Sequence, residues 1–290
     1  MSFEILDTRE LNSENTWMKI KAPLIAERCK AGQFIIIRSN EKGERIPLTI
    51  ANWDKKEGSV EVVFQKVGAS TQELGTYKKG DFLLDVVGPL GIPTHTKGAG
   101  NTIVIGGGLG IAIATPVARA YKEAGNKVHV IIGARTKELL FNVEILESFA
   151  DGLTICTDDG SFGIKGFVTQ PLQEMIDKGE KIDTVFCVGP PIMMKFISKI
   201  TEKHGIHTVA SLNTIMLDGT GMCGACRVTI GNEIKFVCVD GPDFDAHLVD
   251  WDEMMARTQA YREEEKIALE HYHKCRAEKA LEEQNSKEKK

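Results

Sequence analysis

The stretch NTIVIGGGLGIAIATPVARAYKEAG, residues 101–125, joins an apolar strand to a helical run through a glycine-rich loop. The alternation continues down the chain, with further strands at 128–132, 153–156 and 184–188 and helices at 138–149, 168–178 and 192–203. Alternating strands and helices predict a parallel, doubly wound sheet whose ligand lies at the carboxyl ends of the strands. We therefore predict an α/β domain over residues 99–210.

The loop after the first strand is suited to a phosphate, because it presents backbone N–H groups and the positive end of a helix dipole. It consists of Gly106, Gly107, Gly108, Leu109 and Gly110. Its spacing differs from the G-x-G-x-x-G pattern of the standard dinucleotide-binding unit, so the loop alone is a weak signal. Two more loops at the same sheet edge, TDDG (157–160) and CVGP (187–190), strengthen the interpretation.

The TDDG loop indicates which dinucleotide binds. Asp158 and Asp159 would accept hydrogen bonds from ribose hydroxyls and repel a 2′-phosphate, which favours NAD(H) over NADP(H). In the CVGP loop, Cys187 has two interpretations that the sequence leaves open. It is either a catalytic residue against the nicotinamide or a small buried residue, since cysteine is among the most buried residue types.

The first 98 residues are predicted to be β structure. Short alternating strands are separated by Gly-, Asn- and Lys-rich turns, at 3–6, 16–21, 33–38, 46–52, 59–65 and 82–87. This spacing is typical of an antiparallel barrel or sandwich. Three segments differ from simple packing: RIPLT (45–49), GAST (68–71) and GPLG (88–91). Together they predict that the barrel holds a ligand with a pyrophosphate.

A third module is predicted over residues 211–245, where LDGTGMCGACRVTIGNEIKFVC begins at Leu217. Asp218, Cys223, Cys226 and Cys238 have the spacing D-x4-C-x2-C-x11-C, a plant-type 2Fe–2S pattern with aspartate in place of the first cysteine. Structural zinc and a redox-active dithiol are the alternatives. The glycines around the first ligands favour the cluster. Cys187 or Cys156 could supply a fourth sulfur instead of Asp218.

The remaining residues, 246–290, are predicted to be a helical arm. Its apolar side chains follow a three-four spacing at Trp251, Met254, Tyr261, Ala268, Tyr272 and Cys275. The arm is either a solvated helix or a docking arm for a partner. The bulk composition is that of a soluble globular chain, with 42% hydrophobic and 27% charged residues.

The charge and the cysteines bear on partners and compartment. The net charge of −5 argues against nucleic-acid binding. No signal peptide and no apolar run long enough to span a membrane are expected. Seven cysteines in the reduced state suit the cytoplasm.

RIPLTI, GAST, GPLG, GGGLGIA, TDDGSFGIKG and CVGPPIMM resemble the ferredoxin–NADP reductase superfamily. GMCGACRV and FVCVDGP are similar to the electron-transfer subunit of dihydroorotate dehydrogenase B. Asp218, together with DGPDFDAHLVDWDEM beyond the cluster, makes the chain resemble the small subunit of NADH-dependent reduced ferredoxin:NADP oxidoreductase. Relatives of that subunit are described as sulfide dehydrogenase beta subunits. The resemblance implies an FAD-binding barrel, an NAD-binding domain and a 2Fe–2S module.

The resemblance also implies roles for individual residues. The flavin positions are Arg45, which would pair with a phosphate, Pro47, Leu48, Thr49, Phe64, Gln65, Gly68, Ser70 and Thr71. The nicotinamide dinucleotide positions are Gly106 to Gly110, Asp158, Asp159, Cys187, Gly189 and Pro190. Asp218, Cys223, Cys226 and Cys238 match the cluster ligands.

The function that the resemblance implies is electron transfer between NAD(H), FAD and the cluster. The implied partner is a larger flavoprotein with FAD and 4Fe–4S clusters, similar to a glutamate synthase small subunit. This partner would perform flavin-based electron bifurcation and connect the complex to ferredoxin. The alternatives are an electron-transfer subunit of dihydroorotate dehydrogenase B, a sulfide dehydrogenase or polysulfide reductase subunit, and a redox-sensing or scaffold protein without turnover.

Overall fold

The computed structural model describes residues 2–288, and its first part is an antiparallel barrel. Seven strands follow the order β6-β1-β2-β5-β4-β3-β7. They are β1 (Phe3–Glu10), β2 (Asn15–Lys21), β3 (Phe34–Arg38), β4 (Arg45–Asp54), β5 (Ser59–Gln65), β6 (Phe82–Leu83) and β7 (Asp85–Leu90). Only Leu84 separates β6 from β7, the two ends of this order, so the sheet curls back on itself. Two short helices accompany the barrel, α1 (Pro23–Arg28) and α2 (Ala69–Leu74).

The second part is an α/β sheet with the order β11-β10-β9-β8-β12-β13-β16. Its strands are β8 (Asn101–Gly107), β9 (Lys127–Ala134), β10 (Gly152–Thr157), β11 (Ile164–Lys165), β12 (Thr184–Val188), β13 (His207–Ser211) and β16 (Asp243–Asp245). The helices α3 (Gly110–Glu123), α4 (Val143–Glu147), α5 (Thr169–Asp177) and α6 (Pro191–Glu202) connect them. All neighbours are parallel except β13 and β16. The order reverses between β8 and β12, the point at which doubly wound folds bind their ligands.

The helix predicted over 138–149 is interrupted in the structure. A 3₁₀ turn at Lys137–Leu139 is followed by Asn142 with a φ of 60°, and only then does α4 begin. Phe141 is buried, and Asn142 Nδ2 donates to Thr115 Oγ1 of α3 at 3.1 Å. These tertiary contacts override the local helical pattern, because asparagine tolerates the left-handed conformation.

The cluster-bearing segment is a hairpin of β14 (Arg227–Ile230) and β15 (Glu233–Phe236), followed by α7 (Val237–Asp240). Both ends of this segment join the α/β sheet, since β13 pairs with β16 and Leu212 N donates to Pro242 O at 2.9 Å. The strand β16, which the sequence-based division places in the cluster module, therefore completes the neighbouring sheet.

The arm forms two helices, α8 (Trp251–Arg257) and α9 (Arg262–Glu288). Trp251 and Met254 are buried in the core of the α/β part, so α8 is anchored to its own chain and is not a free docking arm. Tyr261 is exposed. No helix within residues 2–288 combines the length and apolarity that crossing a membrane requires.

Asp243 of β16 makes a pH-dependent contribution to stability. Thr94 Oγ1 donates to its Oδ2 at 2.5 Å, while its Oδ1 is buried without a hydrogen-bond partner in the described part of the chain. Burial raises the pKa of this carboxyl to about 6. The folded state therefore favours the protonated acid, and stability falls as pH rises between the pKa of the unfolded chain and about 6.

We expect Asp243→Asn to remove this loss. As the pH rises from 5 to 7.5, the free energy of unfolding of the wild type should fall by about 1–2 kcal/mol more than that of the variant. Anaerobic urea titrations at both pH values measure the difference, with the exposed Asp177→Asn of α5 as control. A variant whose stability parallels the wild type at both pH values would show that Asp243 is charged in the folded protein.

Candidate functional site

A cavity of about 820 Å³ lies between the barrel and the carboxyl edge of the parallel sheet. One wall is Pro47, Leu48 and Thr49 of β4, and the opposite wall is the loop from Gly107 to Gly110. Gly189, Pro190 and Asp158 also line it. The structure thus brings together the barrel strand and the dinucleotide loops that the sequence indicated separately.

Steric contacts explain the glycine loop. A Cβ on Gly110 would lie 2.3 Å from Val188 O, and one on Gly106 would lie 2.9 Å from Ala114 Cβ. These two glycines therefore allow α3 to pack closely against the strands. Gly108, in contrast, has a φ of 56° and open space around its Cβ position. Gly106 is buried and is not among the cavity-lining residues, whereas Gly107 to Gly110 line the cavity.

The flavin positions on the barrel separate into two groups. Gln65 lines the cavity, where its Nε2 donates to Glu14 Oε2 at 2.5 Å, whereas Phe64 is fully buried inside the barrel. GAST lies at the start of α2, where Thr71 Oγ1 accepts hydrogen bonds from Val67 N and Gly68 N, both at 3.1 Å.

Ser70 Oγ donates to Glu44. Gly68, Ser70 and Thr71 are not among the cavity-lining residues, and their contact with an FAD phosphate stays a prediction.

Arg45 holds the cluster loop in the structure. Its Nε donates to Leu217 O at 2.9 Å and its Nη2 to Asp218 O at 3.2 Å. Arg257 of α8 supports the same loop from another side, since its Nη2 donates to Ala225 O at 3.1 Å. The resemblance implied a flavin phosphate as the partner of Arg45, and that contact stays a prediction.

The two aspartates of TDDG differ in what they contact. Asp158 is exposed and lines the cavity. Asp159 Oδ1 accepts from Ser161 N at 2.9 Å and from Ser161 Oγ at 2.7 Å, which keeps the pKa of its carboxyl below the usual value. Asp159 therefore shapes the turn, and Asp158 is the carboxylate available to a ligand.

Cys187 is fully buried in the sheet core, and burial raises the pKa of its thiol far above the usual range. Val188, the next residue along β12, lines the cavity instead, because successive strand side chains point to opposite faces. The structure thus places Cys187 where the buried interpretation expects it and does not bring it to the cavity.

Sequence reasoning missed several cavity residues. Arg135, which directly follows β9, lines the cavity and forms an ion pair with Glu14 of the barrel. Its position at a strand's carboxyl end was the signal that could have found it. Phe167, Ile192 and Phe196 form an exposed apolar rim that no local pattern marks.

The four predicted cluster ligands separate into two pairs in the structure. Asp218 Oδ1 accepts from Thr220 N at 2.9 Å, and Oδ2 accepts from Cys223 N at 2.8 Å. Cys226 and Cys238 are buried with their sulfurs 3.2 Å apart, and burial beside Cys226 raises the pKa of Cys238 to about 12. Cys223 is exposed.

Across the described residues, no set of three or more His, Cys, Asp or Glu side chains is arranged to hold a metal ion. The paired sulfurs of Cys226 and Cys238 still provide two adjacent soft donors. Gly219, Gly221 and Gly224 have φ values of 75°, 83° and 68°, so the loop bends with conformations that suit glycine. These features fit an iron–sulfur cluster, and Asp218 and Cys223 border the same loop.

Comparison with known proteins agrees with this arrangement. Residues 213–250 match the family model described as the iron–sulfur cluster binding domain of dihydroorotate dehydrogenase B. A dihydroorotate dehydrogenase B (NAD(+)) electron transfer subunit homolog from Thermotoga maritima is 48% identical, covering 89% of this chain and 91% of the relative. A probable electron transfer subunit from Pyrococcus furiosus is 36% identical, covering 81% and 90%.

The chain belongs to the family of dihydroorotate dehydrogenase B electron-transfer subunits. A chain of a solved NADH-dependent reduced ferredoxin-NADP oxidoreductase, studied for flavin-based electron bifurcation, superposes with a TM-score of 0.88 at 45% identity, covering 93% of this chain and 97% of that one. A ferredoxin reductase of carbazole 1,9a-dioxygenase, at 22% identity and a TM-score of 0.60, shares the fold. The predicted resemblance, the barrel plus α/β fold and the iron–sulfur module are confirmed.

For this electron-transfer subunit, Asp218 is the predicted ligand that departs from cysteine. If its carboxylate binds iron, Asp218→Cys should retain the cluster with an altered potential, because thiolate is a softer and stronger donor. Asp218→Ala should lose iron during anaerobic gel filtration. Unchanged electron paramagnetic resonance spectra in the alanine variant would place the fourth ligand elsewhere.

Nucleotide preference of the subunit should depend on Asp158 and only weakly on Asp159. The Asp158 carboxylate repels a 2′-phosphate, while the charge of nearby Arg135 is already paired with Glu14. Asp158→Ser should reduce the NADH over NADPH preference in kcat/KM by about tenfold, and Asp159→Ser by much less. Dye reduction by the isolated chain measures both ratios. Equal wild-type rates with the two nucleotides would contradict the assignment.

Proposed function

We propose that this subunit exchanges a hydride with NAD(H) at FAD and passes single electrons through a 2Fe–2S cluster to a larger flavoprotein partner. The observation that carries the proposal is the position of β4. Pro47, Leu48 and Thr49 form a wall of the cavity opposite the glycine loop, and Arg45 of the same strand holds the cluster loop. One strand therefore borders both the predicted flavin site and the cluster site.

When bound, FAD accepts two electrons as a hydride and can release them singly, which matches the one-electron capacity of a 2Fe–2S cluster. The N–H groups of the loop from Gly107 to Gly110 would hold a dinucleotide phosphate, and Asp158 would orient a ribose. Phe167, Ile192 and Phe196 would exclude water at the rim. Arg45 fixes the cluster loop against the barrel.

The partner is expected to dock over the cluster loop. Met222 and Leu217 are 88% and 55% exposed, and Val239 is also exposed, although all three are apolar and lie close in sequence to cluster ligands. We propose that the partner covers these three side chains, since burial of exposed apolar surface stabilises a complex. A partner seated there would bring its own redox centre near the exposed Cys223.

We propose that this partner is the larger FAD and 4Fe–4S subunit of an electron-bifurcating NADH-dependent ferredoxin:NADP oxidoreductase. Support comes from the 93% and 97% coverage of the superposed oxidoreductase chain and from aspartate at the first ligand position. The second candidate partner is a dihydroorotate dehydrogenase, which the 48% identity to the Thermotoga maritima relative favours.

Anaerobic purification of the isolated chain tests the cofactor content. One FAD, about two irons and about two acid-labile sulfides per chain are expected, together with NADH-dependent dye reduction. Stoichiometric zinc without sulfide would contradict the cluster. Mixing the chain with each candidate flavoprotein then separates the two partners, since only one should restore either NADPH oxidation coupled to reduction of both NAD and ferredoxin, or NADH oxidation coupled to reduction of orotate.

A further inference from the structure

A second cavity, of about 620 Å³, adjoins the first and shares Glu14, Gln65 and Arg135 with it. Lys66, which follows β5, and Gln72 of α2 also line it. Arg276 enters this cavity from α9, which contacts α2. The appended helix therefore contributes a cationic side chain to a continuation of the cofactor cleft.

The charges around this second cavity leave Arg276 available to an anion. Glu14 already accepts from Gln65 and pairs with Arg135, and Lys66 Nζ lies 2.5 Å from Glu10 Oε1. Arg276 instead donates from Nη1 to the Tyr272 hydroxyl at 3.0 Å. Among side chains described through residue 276, no carboxylate lies within ion-pair distance of it.

Tyr272 also orients the guanidinium, whose carbon lies 5.7 Å from the centre of the tyrosine ring. Stacking of a guanidinium on an aromatic face leaves its other N–H groups free to form a fork with a phosphate. An arginine held in this way loses less side-chain freedom when it binds a ligand. The arrangement suits an adenosine phosphate better than an apolar molecule.

We propose that Arg276 binds the adenosine monophosphate half of FAD in this second cavity. The inference rests on the proposed function, because a flavin against Pro47, Leu48 and Thr49 of β4 can continue past Gln65 of the neighbouring strand β5 into the second cavity. The C-terminal helix is then part of the cofactor site.

Full-length Arg276→Gln tests the proposal, with Lys274→Gln as the matched control on the same helix and Arg276→Lys as a partial rescue. The dissociation constant of FAD, measured by flavin fluorescence on reconstituting the deflavinated protein, should rise about ten- to one hundred-fold in Arg276→Gln. Lys274→Gln should match the wild type, and the KM for NADH should stay unchanged in all variants.

Other outcomes distinguish a failure of the role of Arg276 from a failure of the proposed function. An FAD dissociation constant in Arg276→Gln within about twofold of the control would overturn the role of Arg276. A raised KM for NADH with unchanged FAD binding would assign the cavity to the adenosine of NAD(H) and would equally overturn it. A wild-type protein that takes up no FAD would contradict the proposed function itself.

Discussion

Cys226→Ser is expected to leave the purified subunit without its cluster. The sulfur of Cys226 is buried and lies 3.2 Å from that of Cys238, so the change removes one of the two adjacent soft donors. A serine hydroxyl is a harder ligand than a thiolate and resists deprotonation, so it should hold iron less tightly. Iron and sulfide should fall from about two per chain to near zero.

Loss of the cluster should affect electron transfer to the partner but not flavin reduction by NADH. Transfer to the partner should fall on the order of one hundred-fold, because ligand loss removes the one-electron carrier. NADH-dependent reduction of a dye that takes electrons directly from the flavin should persist. Cys29→Ser, the same chemical change at a buried thiol of the barrel, is the control. Full iron content together with an unchanged electron paramagnetic resonance spectrum in Cys226→Ser would exclude Cys226 as a ligand.

Gly110→Ala is expected to abolish NADH binding by displacing the glycine loop. The added Cβ would lie 2.3 Å from Val188 O and 3.0 Å from Gly189 Cα, and both neighbours are backbone atoms that cannot rotate away. Either α3 or the end of β12 must shift, which displaces the glycine loop from its position beside Gly189 in the cavity. The free energy of unfolding should fall by about 3–5 kcal/mol.

Gly205→Ala is the matched control, because its φ is 62° but its added methyl meets open space. It should cost only about 1–2 kcal/mol. Flavin fluorescence quenching by NADH measures binding, and thermal unfolding measures stability. If Gly110→Ala binds NADH within about threefold of the wild type, the loop does not form the nucleotide site.

Local patterns predicted the elements whose cause lies within a few residues. The strand, loop and helix of residues 101–125 were predictable because hydrophobic periodicity and glycine placement are local signals. The helix over 138–149 was not, since Asn142 bends the chain to reach Thr115 of another helix. The pattern also gave no sign that the first two members of the arm's apolar stripe, Trp251 and Met254, pack into the chain's own core.

The same distinction applies to the candidate site. Sequence spacing identified Asp158 and Asp159 together, but only the hydrogen bonds from Ser161 show that Asp159 belongs to the turn. The resemblance implied a flavin phosphate as partner of Arg45, a role that stays a prediction, but it could not indicate the contacts of Arg45 with carbonyls more than 170 residues away in the chain. Contacts of this range depend on how the modules pack and have no local signature.

The attachment of the cluster hairpin at both ends determines how its electrons can travel. Ser211 pairs with Asp243 and Leu212 donates to Pro242, so the segment enters and leaves at one point of the sheet. Arg45 and Arg257 hold the loop from two other elements. A carrier domain on a single flexible tether shuttles by diffusion, and its turnover slows in viscous solvent. This hairpin has four anchors, so the distance between the flavin and the cluster should stay fixed and intramolecular transfer should be insensitive to viscosity.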